Sequence, residues 1–220
     1  MIDYAVQRTN MVDSQVRTAD VTDRRIIRAM LAVPREVFAP GEAKATAYID
    51  DHLMVGEGSA SRFILAPRTF AKMVQLLELG EKDLVLDVGC ATGYSTAVLA
   101  RLAARVIGLE EDATIAERAR KTLAELGVSN AEVRTGRLAA GLADAGPFDA
   151  ICVNGGVAAP PEPLLDSLKD GGRLVAIRVE NNVGKAMLWR RNGGVLDGRP
   201  MFDAAAPTLP GMGKTPGFVF

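Results

Sequence analysis

Short apolar strands alternate with helical segments from residue 84 onward, and this alternation constrains the fold more than any other feature of the sequence. The strand-like runs are LVLDV (84–88), RVIGL (105–109), AEVRT (131–135), FDAICV (148–153) and GRLVAIRV (172–179). The clearest helical segments between them are residues 94–103, 113–126 and 162–169. This α/β pattern predicts a mostly parallel sheet with helices on both faces.

The two ends of the chain depart from this pattern. Near the N-terminus, residues 22–33 and 68–79 carry apolar side chains at helical spacing, and Pro34 ends the first of these helices. After residue 180, KAMLWRR and VLDGRPMF flank an Asn-Gly-Gly turn, which is a strong hairpin signal. The sequence therefore predicts an N-terminal helical segment and antiparallel C-terminal strands.

The charge balance and the cysteines narrow the class of protein. The chain of 220 residues has 26 basic and 27 acidic side chains, a formal charge of -1, so the general electrostatic case for nucleic-acid or anionic-membrane binding is absent. Cys90 and Cys152 have no His or Cys neighbours at metal-ligand spacing, so we expect reduced cysteines and no metal. The N-terminus lacks a signal-peptide pattern, and a cytoplasmic location is expected.

The loop after the first strand, GCATG, is the first place to seek a ligand, because open parallel sheets bind ligands at the carboxyl ends of their strands. A P-loop would need a lysine directly after Gly93. A dinucleotide site would need G-x-G-x-x-G, whereas Gly89, Ala91 and Gly93 form G-x-A-x-G. The carboxylate of Asp87 would repel a pyrophosphate but suits the ammonium and sulfonium groups of S-adenosylmethionine.

A second acidic residue supports the same cofactor. Glu110 ends the next strand and follows Asp87 by 23 positions, where an acid is placed to accept hydrogen bonds from ribose hydroxyls. In this interpretation the glycine loop (residues 89–93) gives backbone access to the amino-acid part of the cofactor, and Thr92 caps the following helix. The predicted cofactor is S-adenosylmethionine.

With these residues in view, the chain resembles the protein-L-isoaspartate O-methyltransferases. The resemblance is carried by DRRIIRAMLAVPREVFAP, AYIDDHL, VLDVGCATGYSTAVLA, GPFDAICV and LKDGGRLVAI, and it covers roughly residues 20–180. It implies a Rossmann-like class I methyltransferase fold and methylation of isoaspartyl carboxylates in damaged proteins or peptides. Such a carboxylate is ionised at neutral pH and needs no general base, so His52 is interpreted as a loop or core residue.

The substrate loop departs from the family pattern. The family's loop reads Gly-x-Gly-x-Thr-Ile-Ser-x-Pro, and its serine is assigned to catalysis, whereas GEGSASRFILAP has three additional residues. Counting back from Pro67 places Leu65 at the serine position, and counting forward from Gly58 places Arg62 there. Ser59 and Ser61 are the neighbouring hydroxyls and hence the catalytic candidates.

Two further positions bear on the site. Where the family has Gly-Asp after the third strand, with the acid on adenine, this chain has Gly136 and Arg137. After the fourth strand the Asn/Asp-Pro-Pro-aromatic motif of amino-group methyltransferases is absent. There the sequence reads NGGVAAPP. The segment from Asn154 to Gly156 is predicted to approach the transferred methyl group, with Asn154 assigned to cofactor binding.

The expected organisation is one methyltransferase domain over residues 1–220. It comprises N-terminal helices and the substrate loop in 1–80, a cofactor core in 81–180, and antiparallel strands in 181–220. Two alternatives stay open: a related methyltransferase with a small hydroxyl or carboxyl acceptor, and a non-catalytic S-adenosylmethionine-binding protein. The altered substrate loop favours these two, and the VPREVFAP stretch favours isoaspartyl repair.

Overall fold

The structure is a computed structural model that describes residues 2–56, 62–181 and 183–213. Its elements follow the predicted order. The helices are α1 (Tyr4–Met11), α2 (Arg24–Ala32), α3 (Pro67–Leu76), α4 (Tyr94–Leu99), α5 (Ala113–Glu125) and α6 (Glu162–Asp166). The strands are β1 (Leu53–Met54), β2 (Phe63–Ile64), β3 (Leu84–Val88), β4 (Arg105–Glu110), β5 (Ala131–Thr135), β6 (Phe148–Val157), β7 (Leu168–Glu180), β8 (Val183–Asn192) and β9 (Val195–Asp203).

The main sheet has seven strands in the order β5-β4-β3-β6-β7-β8-β9. Strands β3 to β7 are parallel, and β8 and β9 add to the β7 edge in antiparallel orientation. The Gly193-Gly194 turn joins β8 to β9, and both glycines have positive φ, as a tight hairpin turn requires. The α/β class and the antiparallel C-terminal strands are therefore confirmed.

The sheet order places a ligand site next to β3. The chain runs from β3 outward through β4 to β5 and then returns to β6 on the other side of β3. This reversal of direction separates the loops that follow β3 and β6 and opens a crevice between them. The carboxyl end of β3, where the glycine loop begins, is thus the topological switch point of the fold.

The predicted N-terminal helix is confirmed in α2. Asp23 is its N-cap and accepts a hydrogen bond from the backbone N–H of Arg25, and the helix ends at Ala32, two residues before Pro34. Ile26, Ile27 and Met30 are buried, as the helical spacing predicts. Leu31, a fourth apolar side chain of this helix, is only partly buried.

Several elements have other boundaries than the sequence predicted. The helix expected over 94–103 ends at Leu99, and the helix expected over 162–169 is one short turn, α6, that ends at Asp166. Strand β7 begins at Leu168, four residues before the predicted start. Leu168 pairs with Phe148 of β6, although the sequence pattern had assigned residues 162–169 to a helix. The expected loop over 50–67 contains the short antiparallel pair β1–β2.

One hydrophobic core joins the N-terminal helices to the sheet. It extends along the sequence from Met11 to Met212 and includes the central strands β3, β4 and β6. The three-part division at residues 80 and 180 stays a prediction. Within the described ranges, no helix is both long and apolar enough to cross a membrane.

Candidate active site

The glycine loop turns away from the end of β3 through left-handed conformations, and all of its residues are buried. Gly89 and Gly93 have φ of 71° and 97°, and Ala91 has φ of 49°, so a left-handed conformation recurs at every second residue. The backbone N–H groups of Gly89 and Cys90 both donate to the carbonyl of Leu109 in the neighbouring strand β4. This anchoring ties the loop to the end of β4, where Glu110 lies.

The start of α4 corrects one expectation. The N-cap position is Gly93, whose missing side chain leaves room for α5: a Cβ at this position would lie 3.3 Å from Cβ of Ala119. Thr92, expected to cap the helix, instead donates its hydroxyl to the carbonyl of Phe38. Because the left-handed Gly93 is the N-cap, α4 begins one residue later than Thr92 as N-cap would require. The Thr92 hydroxyl is then free to bind the Phe38 carbonyl, 54 residues away in the sequence.

Glu110 lies at the carboxyl end of β4 and is fully buried. One carboxylate oxygen, Oε1, accepts from the backbone N–H groups of Glu111 (2.8 Å) and Asp112 (3.2 Å). The other, Oε2, accepts from the backbone N–H of Ala91 at 2.9 Å. The carboxylate is therefore positioned by both its own loop and the glycine loop.

Arg62 completes the surroundings of Glu110. Its guanidinium donates from Nε to Oε1 at 3.0 Å and from Nη2 to Oε2 at 2.9 Å, and the two side chains are 2% and 0% exposed. Such a two-pronged charged contact is among the stronger polar interactions in proteins. Arg62 occupies the family's serine position when the loop is counted from Gly58, and its contact with the acid assigned to the ribose was not predicted.

Asp87 is buried at the end of β3 and accepts three side-chain hydrogen bonds. The donors are the hydroxyls of Ser95 (2.7 Å) and Thr96 (2.6 Å), both on α4, and the amide of Asn154. Burial raises the pKa of Asp87 to about 6, although these hydrogen bonds act in the opposite direction. A positive ligand charge beside the loop would favour the ionised form.

Asn154 contacts the buried carboxylate of Asp87. It lies within β6, is 3% exposed, and donates its amide to Asp87 on the adjacent strand β3. Its side chain therefore orients the buried carboxylate. Its assignment to the cofactor stays a prediction, and the structure adds Ser95 and Thr96 as partners of Asp87 that sequence analysis missed.

The substrate loop is described only in part. Ser59 and Ser61 lie outside the described residues. Leu65, one of the two residues at the family's serine position, is 1% exposed, and its carbonyl accepts a hydrogen bond from the buried guanidinium of Arg35. Of the two aligned positions, Leu65 packs into the core and Arg62 reaches Glu110.

His52 links the base of the substrate loop to the C-terminal part of the chain. Its Nδ1 accepts from the backbone N–H of Ala66 at 3.0 Å, and its Nε2 lies 3.0 Å from the carbonyl oxygen of Ala205. These contacts correspond to the tautomer with the proton on Nε2. Both ring nitrogens hold backbone groups, in agreement with the interpretation of His52 as a loop residue.

Residues 204–213 form a strap across the end of β6, and sequence analysis did not predict it. Gly156 N–H donates to the carbonyl of Pro207, and Leu209 N–H donates to the carbonyl of Gly156, at 2.8 and 2.9 Å. A Cβ on Gly155 would lie 2.6 Å from Cδ2 of Leu209. Backbone hydrogen bonds hold the strap in place, and these do not depend on a particular side chain. The sequence offers only Leu209 between two prolines, which is a weak signal for such a contact.

The donor set fits S-adenosylmethionine in its chemistry. Two buried carboxylates end adjacent parallel strands, one for the positive groups and one for hydroxyls, and they flank a loop with three left-handed residues. The space beside Gly89 is taken by the chain itself, since both Arg62 and Leu209 contact this position. No cluster of three His, Cys, Asp or Glu suited to a metal occurs in the described part of the chain.

Comparison with known proteins assigns the family. The family model for protein-L-isoaspartate(D-aspartate) O-methyltransferase matches residues 6–200. A protein-L-isoaspartate O-methyltransferase of Syntrophobacter fumaroxidans is 41% identical over 175 residues, 80% of each chain. One from Pelobacter propionicus is 40% identical over 194 residues, covering 86% of this chain and 89% of that protein.

Solved structures agree. A protein-L-isoaspartate O-methyltransferase structure matches 94% of this chain and 67% of its own, with a TM-score of 0.84 and 26% identity. A Plasmodium falciparum protein solved with S-adenosyl-L-homocysteine matches 95% of this chain and 99% of its own, with a TM-score of 0.77; at 21% identity it supports the fold. The chain belongs to the protein-L-isoaspartate(D-aspartate) O-methyltransferase family, whose members are S-adenosylmethionine-dependent methyltransferases.

Proposed function

We propose that this chain transfers the methyl group of S-adenosylmethionine to isoaspartyl carboxylates in damaged proteins and peptides. The observation that carries the proposal is the family match over residues 6–200, with relatives about 40% identical over most of their length. The buried carboxylates of Asp87 and Glu110 beside the glycine loop are the local features that suit this cofactor.

The cofactor supplies, when bound, a methyl group already activated on a sulfonium. Asp87 would balance its positive charge, and Glu110 would accept hydrogen bonds from its ribose hydroxyls. Gly89, Ala91 and Gly93 would let the backbone approach its amino-acid part. Because the acceptor carboxylate is already ionised at neutral pH, the chain's task is to align the two reactants and exclude water rather than to remove a proton.

The role of a hydroxyl in the substrate loop is a separate question. The two residues that align with the family's serine, Arg62 and Leu65, carry no hydroxyl. Ser59 and Ser61 are therefore the candidates for orienting the acceptor. This departure favours, as a second candidate function, methylation of a smaller carboxyl or hydroxyl compound by the same cofactor site.

Labelled methyl transfer decides between these functions. The acceptor is an isoaspartyl peptide, and the control is the same peptide with normal aspartate. We expect a base-labile methyl ester on the isoaspartyl peptide alone. Transfer to neither peptide, with cofactor binding intact, would contradict the proposal and favour either the small acceptor or a non-catalytic binding protein.

We further infer the partners and the location from the sequence. The formal charge of -1 provides no general attraction to nucleic acids or to anionic membranes. A cytoplasmic protein substrate with an isoaspartyl residue is the partner that fits the proposed reaction. A filter-binding assay with RNA and sedimentation with anionic vesicles would test both exclusions.

A further inference from the structure

We propose that this chain closes its own cofactor site, with Arg62 bound to Glu110 and Leu209 on the glycine loop, so that S-adenosylmethionine binds only when both contacts open. The inference rests on the proposed function, because it takes the glycine loop as the cofactor site. It adds that the cofactor must compete with two parts of the chain.

The hydrogen-bonding capacity of Glu110 is the first argument. A carboxylate offers about four lone-pair positions. Backbone N–H groups of the two following residues and of Ala91 take three of them, and Arg62 adds Nε and Nη2 as further donors. No acceptor position is left for ribose hydroxyls while Arg62 is bound. Cofactor binding through Glu110 therefore requires Arg62 to withdraw.

The position of Leu209 is the second argument. Its Cδ atoms lie 3.3 Å from where a Cβ on Gly89 would be, and its Cδ2 and Cγ lie 2.6 Å from where a Cβ on Gly155 would be. Gly89 directly follows β3, and Gly155 lies near the carboxyl end of the adjacent parallel strand β6, at the switch point of the sheet. Gly89 and Gly155 have no side chains, and this leaves space beside the strand ends. Leu209 fills that space, so a ligand cannot occupy it at the same time.

Arg62 and Leu209 meet at one position, so the two contacts are expected to open together. Nη2 of Arg62 is 3.0 Å from the place of a Cβ on Gly89, the glycine that Leu209 also contacts. His52 makes a second connection, since it holds Ala66, which follows the substrate loop's arginine, and Ala205 at the start of the strap. Both covers therefore border the same position of the glycine loop and are connected through His52.

The strap is attached in a way that permits opening. Among the described residues, four backbone hydrogen bonds join it to the rest of the chain: from Gly156 to Pro207, from Leu209 to Gly156, from Ala158 to Met212 and from Ala204 to Gly184. Only the first three lie at the end of β6, beside the glycine loop. Each is a hydrogen bond between neutral groups, whose net contribution is small because both groups bind water when they separate. The strap also lies beyond residues 6–200, the part that the family model matches. The strap half of the closing device thus lies outside the family match, whereas Arg62 lies within it.

A closed site lowers the apparent affinity by the fraction of molecules that are open. Replacing Leu209 by Ala should shift the population toward the open form and tighten S-adenosylmethionine binding about tenfold, as measured by calorimetry. The matched control is Leu164→Ala, an equally buried leucine on α6 that packs against Gly141. It should lose similar stability without gaining affinity. Equal affinities in wild type and Leu209→Ala would overturn the proposal.

Arg62→Met tests the other cover. It keeps an unbranched side chain but removes the guanidinium, so Glu110 becomes free for the ribose while the buried ion pair is lost. We expect cofactor affinity to rise roughly tenfold while the melting temperature falls, two changes of opposite sign. Weaker binding in a folded variant would show that Arg62 assists the cofactor and would overturn the proposal.

Hydrogen exchange on the unmodified protein gives a test that needs no variant. On addition of S-adenosylmethionine the amides of Leu209 and Ala158 should exchange faster, because their partners in the closed form move away, while Ala91 in the glycine loop exchanges more slowly. Unchanged or slower exchange at Leu209 on binding would overturn the closing mechanism alone. Absence of S-adenosylmethionine binding in wild type and in both variants would overturn the proposed function as well.

Discussion

The glycine loop and the parts that cover it differ in how they are built. The loop, with Asp87 and Glu110 at its sides, is formed by the ends of two neighbouring strands and carries the motif shared with the family. The cover comes from Arg62 in an altered substrate loop and from the strap, which lies beyond the family match. The proposed cofactor site is therefore built from one short motif, whereas the groups that cover it come from segments far apart in the sequence.

The largest expected effect lies where the two regions meet. Glu110→Ala leaves the guanidinium of Arg62 buried without its acid, and the loss of one partner of a buried pair typically costs about 3–5 kcal/mol. We expect that decrease in the free energy of unfolding in urea. The control is Glu111→Ala, an exposed neighbour, with a change within about 0.5 kcal/mol. If the free energy of unfolding fell by less than about 1 kcal/mol, the Arg62–Glu110 ion pair would not connect the glycine loop to the residues that cover it.

Gly93→Val tests the loop by itself. Gly93 has φ of 97°, and a Cβ there would lie 3.3 Å from Cβ of Ala119 on α5, so valine is strained by about 1–3 kcal/mol. We expect this loss of stability together with loss of S-adenosylmethionine binding. Gly127→Val is the control, since Gly127 has φ of 67° and open space around it. If Gly93→Val binds the cofactor normally, the loop is wrongly assigned.

The pKa of Asp87 gives a pH dependence to cofactor binding. Burial raises the pKa of this carboxyl group from its usual value of 3.8 to about 6, so between these values the folded protein binds a proton that the unfolded chain lacks. The contribution of Asp87 to folding stability therefore falls as pH rises through this window. The cofactor's positive charge favours the ionised carboxylate, so affinity should rise with pH up to about 6, approaching tenfold per pH unit well below the pKa, and then level off.

Calorimetry between pH 5 and pH 8 measures this dependence. Asp87→Asn keeps the size of the side chain but cannot ionise, so its affinity should be weaker and nearly independent of pH. A wild-type affinity that is flat across this range would show that Asp87 does not balance a charge on the ligand. In that case the charge of Asp87 would no longer support S-adenosylmethionine as the ligand of the glycine loop.

The smallest expected effect concerns the substrate loop. Replacing Ser59 and Ser61 together by Ala should leave cofactor affinity intact and reduce single-turnover methyl transfer by less than about tenfold. Neither serine occupies the family's catalytic position in the sequence, and the rate is expected to come from the orientation of the two reactants. The measurement uses whichever acceptor proves active. A larger loss with unchanged cofactor binding would show that the longer loop has moved the catalytic hydroxyl to one of these residues.

Local patterns accounted for most of the fold. Helix α2 follows from apolar side chains at helical spacing, an aspartate cap and a proline beyond its end. The parallel strands follow from short apolar runs, because strands covered on both faces need no alternation. The boundary errors at α4, α6 and β7 arose where pairing between strands took precedence over local spacing.

The sequence by itself determined the parallel sheet, the glycine loop and the two acids at its sides, because each depends on neighbours within a strand–loop–helix unit. Only the tertiary structure decided what covers them. Arg62 and Glu110 are 48 residues apart, and an arginine in a polar loop is normally exposed to solvent. Leu209 meets Gly89 only because β6 returns beside β3 and carries the strap to the same crevice. Contacts of this kind depend on chain reversal and packing, which local periodicity does not encode.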